Sequence, residues 1–376
     1  MKPASASFAT NHNNFDLVRL IAALQVVVIH VIHEMPGLQN DFLVKALSLF
    51  PGVPIFFFIS GYLIGGSWQR NPHLASYISN RALRIFPALW VAVFFSLVML
   101  IVFYATPMRE NIGTALMWLV MQVTFLQSWN PPFLRGYGTG LVNPALWTIP
   151  VELSFYVVLP LLYMLGERLR RLRLVLWGAA TLSFVIFYFV INQLDPANPS
   201  QTLARKVLTV SPASFVTWLW MFLIGVLAQA EGERLRSLVR GRFPLFAVIA
   251  VAVGGLSLWI DIPPFLHLPG NEIGLLNALT LSAACLSFAY SYSGLAQRWL
   301  RGFDLSYGIY LFHMPIVNAL IMANIVGWLG GVSVIVGTLT CAFLSWTFVE
   351  RVALRHKSRV QEVLTNRFRL PAKVVL

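Results

Sequence analysis

The chain has little charge. Of its 376 residues only 11% are Asp, Glu, Lys or Arg, with 14 acidic side chains against 27 basic ones. With 58% hydrophobic residues and a mean hydropathy of +0.73, such a sequence excludes one soluble core and describes a polytopic membrane protein. Cysteine is scarce too. Cys285 and Cys341 both lie in apolar segments, match neither a disulfide framework nor a metal-binding pattern, and read as small packing residues. The polar start, Met1 to Asn14, lacks a charged region followed by a small-residue cleavage site, so the first apolar segment reads as a retained anchor. A repeat of 20–50 residues, a low-complexity tract and an insertion of soluble-domain size are also missing.

What remains is a series of eleven apolar runs, near 15–33, 47–66, 86–105, 112–128, 147–166, 174–192, 213–230, 243–260, 273–291, 305–326 and 330–349. Short cytoplasmic loops concentrate Lys and Arg. Arg70, Arg81 and Arg84 before the third run, and Arg168, Arg170, Arg171 and Arg173 after the fifth, place both loops in the cytoplasm. An even number of crossings must separate them, which demotes the shortest run, 112–128, to a re-entrant or surface segment on the outer side. The expected fold is all-α, with about ten transmembrane helices and both termini cytoplasmic. Only Lys45, Arg109, Arg135, Arg205 and Lys206 of the basic residues then fall outside. The sequence divides into an N-terminal tail, 1–14, a membrane domain, 15–350, and a basic C-terminal tail, 351–376. Because the basic residues flank spans, the +13 net charge argues for a membrane surface and against nucleic acid.

Arg19 and His30 stand in the apolar segment FDLVRLIAALQVVVIHVIHE. Eleven helical steps return to within about 20° of the same face after a rise of roughly 16 Å, so both line one stripe. Ionisable groups inside a span usually face a bundle interior or a wet cavity. The competing readings are an arginine snorkelling to the headgroups and a histidine bonded within the packing. By depth, His30 lies slightly outside the midplane, Glu152 roughly 8 Å below the outer boundary and His313 near the middle. Pro54, Pro150 and Pro315 flank these positions and can open the helix ladder around a polar cavity, or serve only packing.

On the cytoplasmic side Arg81 and Arg84 are three apart on one helical face. Two guanidinium forks at a cavity mouth suit phosphate, with Arg19 able to join them; ordinary positive-inside anchoring is the alternative. The long stretch 106–146 carries Trp129, Phe133 and Tyr137 among prolines and glycines, suited to interfacial anchoring or to stacking on a sugar.

Six segments in order, FDLVRLIAALQVVVIH (15–30), GVPIFFFISGYL (52–63), RALRIFP (81–87), LWTIPVELSFY (146–156), SYGIYLFHMP (306–315) and FVER (348–351), resemble the membrane-bound acyltransferase-3 family. The resemblance covers nearly the whole chain. It implies an O-acyltransferase of the inner (plasma) membrane that uses cytosolic acyl-CoA, acetyl-CoA being the commonest donor, to modify a hydroxyl of an extracytoplasmic glycan or lipid-linked sugar. Carried over by position, the catalytic candidates are His30, Glu152 and His313, and the donor-binding ones Arg19, Arg81 and Arg84. Trp147, Tyr307 and Tyr310 follow as substrate or oxyanion support. No tightly bound cofactor or metal is implied; acyl-CoA is a substrate, and membrane lipid the surrounding partner.

In the simplest mechanism His30 is a general base, since imidazole with an ordinary pKa of about 6.5 titrates near working pH. Glu152 would orient that ring, and His313, Tyr310 or freed backbone donors would meet the oxyanion. An acyl-enzyme on His30 or Ser60 is the mechanistic rival. A proton-coupled transporter and a lipid- or glycan-binding scaffold are the rival functions, because buried His, Glu and Arg also build proton relays.

Overall fold

The computed structural model describes residues 13–192, 214–268 and 270–357, and every regular element among them is helical. The first half comprises α1 (Phe15–Glu34), α2 (Asp41–Leu47), α3 (Gly52–Arg70), α4 (Leu74–Phe103), α5 (Ala105–Glu110) and α6 (Ile112–Val123). An irregular stretch with two short 3-10 turns, Pro132–Gly136 and Pro144–Trp147, leads into α7 (Thr148–Arg168) and α8 (Leu172–Asn192). Then follow α9 (Phe215–Ala230), α10 (Gly232–Val239), α11 (Phe243–Ser257), α12 (Leu275–Ser291), α13 (Leu295–Leu300), α14 (Ser306–Met322) and α15 (Gly327–Ser345). One π-helical turn, Trp346–Glu350, joins α15 to α16 (Arg351–Arg355).

Crossing a hydrocarbon core of about 30 Å takes roughly 20 apolar residues. Six helical segments among the described residues meet that requirement: Phe15–Glu34, Asp41–Arg70, Leu74–Phe103, Pro144–Arg168, Leu172–Phe189 and Gly327–Arg355. A seventh results if α9 and α10, which meet at an angle of 97°, are taken together. The 12-residue α6 is about 18 Å long, far short of that thickness. Large apolar side chains such as Phe94, Val157, Leu161, Val248 and Val336 point outward, the inside-out pattern expected where lipid replaces water.

Small residues decide how closely the helices approach. Gly61 of α3 and Gly225 of α9 face each other, and a Cβ on Gly61 would sit 1.8 Å from the Phe222 carbonyl oxygen. Only glycine permits this backbone contact, the usual way apolar helices gain packing without a hydrophobic drive.

The prolines divide differently from the expectation. Pro54 and Pro150 occupy the first turns of α3 and α7, where the missing N–H would have had no intrahelical partner, so neither opens a ladder. Pro315 lies inside α14 and leaves the Leu311 carbonyl without its donor. Asn143 supplies one: its Nδ2 donates to the Leu311 oxygen at 2.9 Å. Asn318 adds donations to the carbonyls of Leu141 and Val142 at 2.8 and 2.9 Å. The stretch 139–143 is thereby tied to the helix that carries His313. Tyr137, read from sequence as an interfacial anchor or sugar platform, is fully buried against Tyr104 and does neither.

Candidate active site

α1 and α14 run side by side and bring His30 to His313. The contact joins His30 Nδ1 to His313 Nε2 at 2.8 Å, with the rings nearly parallel at 12°. His313 is fully buried, and its Nδ1 lies 3.2 Å from the Ile309 carbonyl oxygen. A carbonyl only accepts, so for neutral rings the proton of His313 is on Nδ1 and its Nε2 is a lone pair. His30 must then donate from Nδ1. That leaves His30 Nε2 as an unprotonated base.

Two cavities bear on the site, and His30 lines only the second. The first, of about 50 Å³, is lined by Arg19, Ser60, Glu152, Thr148, Ser306, Tyr307 and the apolar Val53 and Phe56, with Tyr310 at its edge. The second, of about 390 Å³, is lined by His30, His33, Glu34, Trp147 and Asn271, again with Val53 and Tyr310. Arg19 and His30, on one stripe of α1, thus serve different chambers. Val53 and Tyr310 line both, and form their common wall.

Glu152 is not the partner of His30. Its Oε1 accepts from Ser60 Oγ at 2.8 Å and from the Tyr156 hydroxyl, within the first cavity. Similar depth along two spans did not mean contact; His313 holds the imidazole instead. The tyrosines are also engaged. Tyr310 donates to the Ala145 carbonyl at 2.7 Å and accepts from Thr148 at 2.8 Å, while Tyr307 donates to the Ile85 carbonyl at 3.1 Å. Neither phenol keeps a proton free for an oxyanion. Trp147 packs its ring on Trp218 and Phe57 and borders the second cavity.

The arginines part company. Arg19 and Arg84 converge on one oxygen of Asp304, Arg19 at 3.1 Å, and Ser306 donates to the other oxygen at 2.7 Å. Burial pushes the Asp304 carboxyl up, but the two guanidiniums and the Ser306 hydroxyl outweigh it and hold the group well below the usual carboxylate range. Arg81, although on the same face of α4 as Arg84, turns to the ring faces of Tyr77 and Tyr156, at 5.7 and 5.6 Å. No carboxylate pairs with it among the described residues, and its buried Nε has no hydrogen-bond partner there.

Sequence reasoning missed Asp304 and Asn143. With only 14 acids in the chain, an aspartate one residue before an apolar run was a signal available to it. Asn143 had none, because its role exists only once Pro315 has freed a carbonyl 168 residues away.

The acyltransferase domain of the acyltransferase-3 family matches residues 12–347, and the chain belongs to that family. Together with its apolar helices, this makes it a multi-pass membrane protein. The chain is 32% identical over 372 residues to nodulation protein 10 of Rhizobium leguminosarum bv. viciae, covering 94% of this chain and 96% of that one. It is 24% identical to an O-acetyl transferase of Shigella phage Sf6, covering 92% and 97%. It is 23% identical to the peptidoglycan O-acetyltransferase OatA of Listeria monocytogenes, covering 81% of this chain but only 49% of that protein, about half its length. No solved structure matches.

Proposed function

We propose that the protein transfers an acyl group from cytosolic acyl-CoA to a hydroxyl of an extracytoplasmic glycan or lipid-linked sugar in the inner membrane. The observation that carries this reading is the Ile309–His313–His30 chain, which leaves a basic imidazole nitrogen at a cavity separate from the one holding Arg19. Relatives named O-acetyltransferases, one of them for peptidoglycan, support the reaction class and the acceptor class.

The topology belongs to the same reading. Counting α9 with α10 as one span and adding the shorter apolar helices α11, α12 and α14 gives ten crossings, with both termini in the cytoplasm. The Arg19 and Arg84 end then faces the cytosol, and the His33 and Glu34 end faces outward.

The donor enters from the cytosolic side. Arg81, which meets aromatic faces and no carboxylate among the described residues, has capacity for a phosphate of the nucleotide, while Arg19 and Arg84, held by Asp304, shape the entrance. The acceptor hydroxyl approaches in the outer cavity. As its oxygen attacks the thioester carbon, its proton moves to His30 Nε2, and His313 Nε2 accepts the Nδ1–H of the imidazolium so formed. The C–S bond breaks, the thiolate takes the proton back from His30, and free thiol and ester leave. Such base catalysis contributes roughly 10²–10⁴-fold.

Purified protein given radiolabelled acetyl-CoA and envelope glycan should form labelled, alkali-labile ester, and His30→Ala should cut its rate by at least about 10²-fold while the protein stays monodisperse. Label carried across vesicle membranes with no ester formed would favour a transporter and overturn the enzyme.

A further inference from the structure

The two cavities differ nearly eightfold in volume, and the smaller is on the donor side: about 50 Å³ against about 390 Å³. A cavity needs at least about 10–15 Å³ to hold one water, so the smaller space takes only a few heavy atoms. Their common wall is rigid on both sides. Val53 follows Gly52, whose N–H donates to Gln25 Oε1 at 2.9 Å, while Gln25 Nε2 donates to the Leu47 carbonyl at 3.0 Å. A Cβ at Gly52 would lie 2.5 Å from the Ala22 carbonyl oxygen, so the backbone beside Val53 is pressed against α1. Tyr310 is held by Ala145 and Thr148, and its ring meets that of Phe56 at 5.9 Å in a T-shaped contact.

Resting on the acyl-CoA reading above, we propose that Val53 and Tyr310 are the partition at which the acyl group passes from donor to acceptor, and that Val53 sets its length at two carbons. The thioester carbonyl meets the acceptor oxygen at this wall, and the carbon chain behind it must fit beside Val53 and Phe56. Interiors packed this tightly do not stretch to admit another methylene. One methylene in such a pocket discriminates by roughly 10–200-fold. Val53 makes and breaks no bond; the proton and the thiolate move as described for His30.

The test is a competition. Membranes containing the protein and their own glycans receive equimolar acetyl-, propionyl- and butyryl-CoA, and the esters released by alkali are quantified by mass spectrometry. The product ratio is independent of how much protein is active. The wild type should yield acetyl over propionyl ester by at least about tenfold. Val53→Ala should reduce that ratio by about tenfold, and Val53→Ile should raise it while slowing acetyl transfer. Equal use of all three donors by the wild type, or a ratio unmoved by Val53→Ala, overturns the partition while leaving the enzyme reading intact. No ester from any donor overturns the enzyme reading, and the partition with it.

Discussion

Asn143 holds the main-chain carbonyl of Leu311, the oxygen that Pro315 leaves without its helical donor. The bond lies two residues from His313, so a loop far away in sequence stabilises the kink that carries the buried imidazole. Asn143→Leu should leave that carbonyl unsatisfied in the interior, at a cost of about 1–3 kcal/mol. Thermal unfolding in detergent would register the loss. An unchanged midpoint would mean that the carbonyl finds another donor.

His30 and His313 should behave unequally. With His30 as the proposed base, its replacement by Ala should lower kcat/KM by about 10²–10⁴-fold, with acyl-CoA affinity unchanged. Replacing His313 with Ala leaves the base but frees its ring and tautomer. The expected result is a smaller fall in kcat and a displaced pH–rate profile. Equal losses with the same profile would contradict the positioning role.

Asp304 predicts an acid limb in stability. Its carboxyl is held low in the folded protein, whereas in the unfolded chain it titrates near the ordinary value of about 3.9. Its ionised form therefore stabilises the fold at neutral pH, and that contribution fades as pH falls below the unfolded value. Asp304→Asn should lower the midpoint at pH 7 and flatten its dependence below pH 4. Removing one partner of a buried ion group costs roughly 3–5 kcal/mol, and less here because Arg84 is partly exposed. Equal midpoints for the two proteins at pH 7 would rule this out.

Two glycines should respond oppositely to alanine. Gly61→Ala drives a Cβ into the Phe222 carbonyl and should cost about 1–3 kcal/mol or prevent monodisperse expression. Gly178 in α8 meets nothing within 4 Å, so Gly178→Ala should stabilise by about 0.5–1 kcal/mol. Matched expression and melting series would separate them.

The all-helical character and the family were legible, because hydropathy and local spacing are properties of the chain itself. Contacts were not. His30 and His313 are 283 residues apart, and depth along a span, the quantity that sequence offers, also suggested Glu152 as a neighbour. Arg81 and Arg84 share a helical face, yet a carboxylate draws one and aromatic faces draw the other. Proline is similarly ambiguous: Pro54, Pro150 and Pro315 look alike until the helix starts are known.

The Val53 and Tyr310 wall also bears on the energetics of the cell. An enzyme fed from one side of a membrane and emptied on the other risks becoming a leak for protons and sodium. Here the two chambers meet at a valine and a phenol already engaged in hydrogen bonds. On the proposed reading, acyl groups would be exported across such a seal while the electrochemical gradient stays charged.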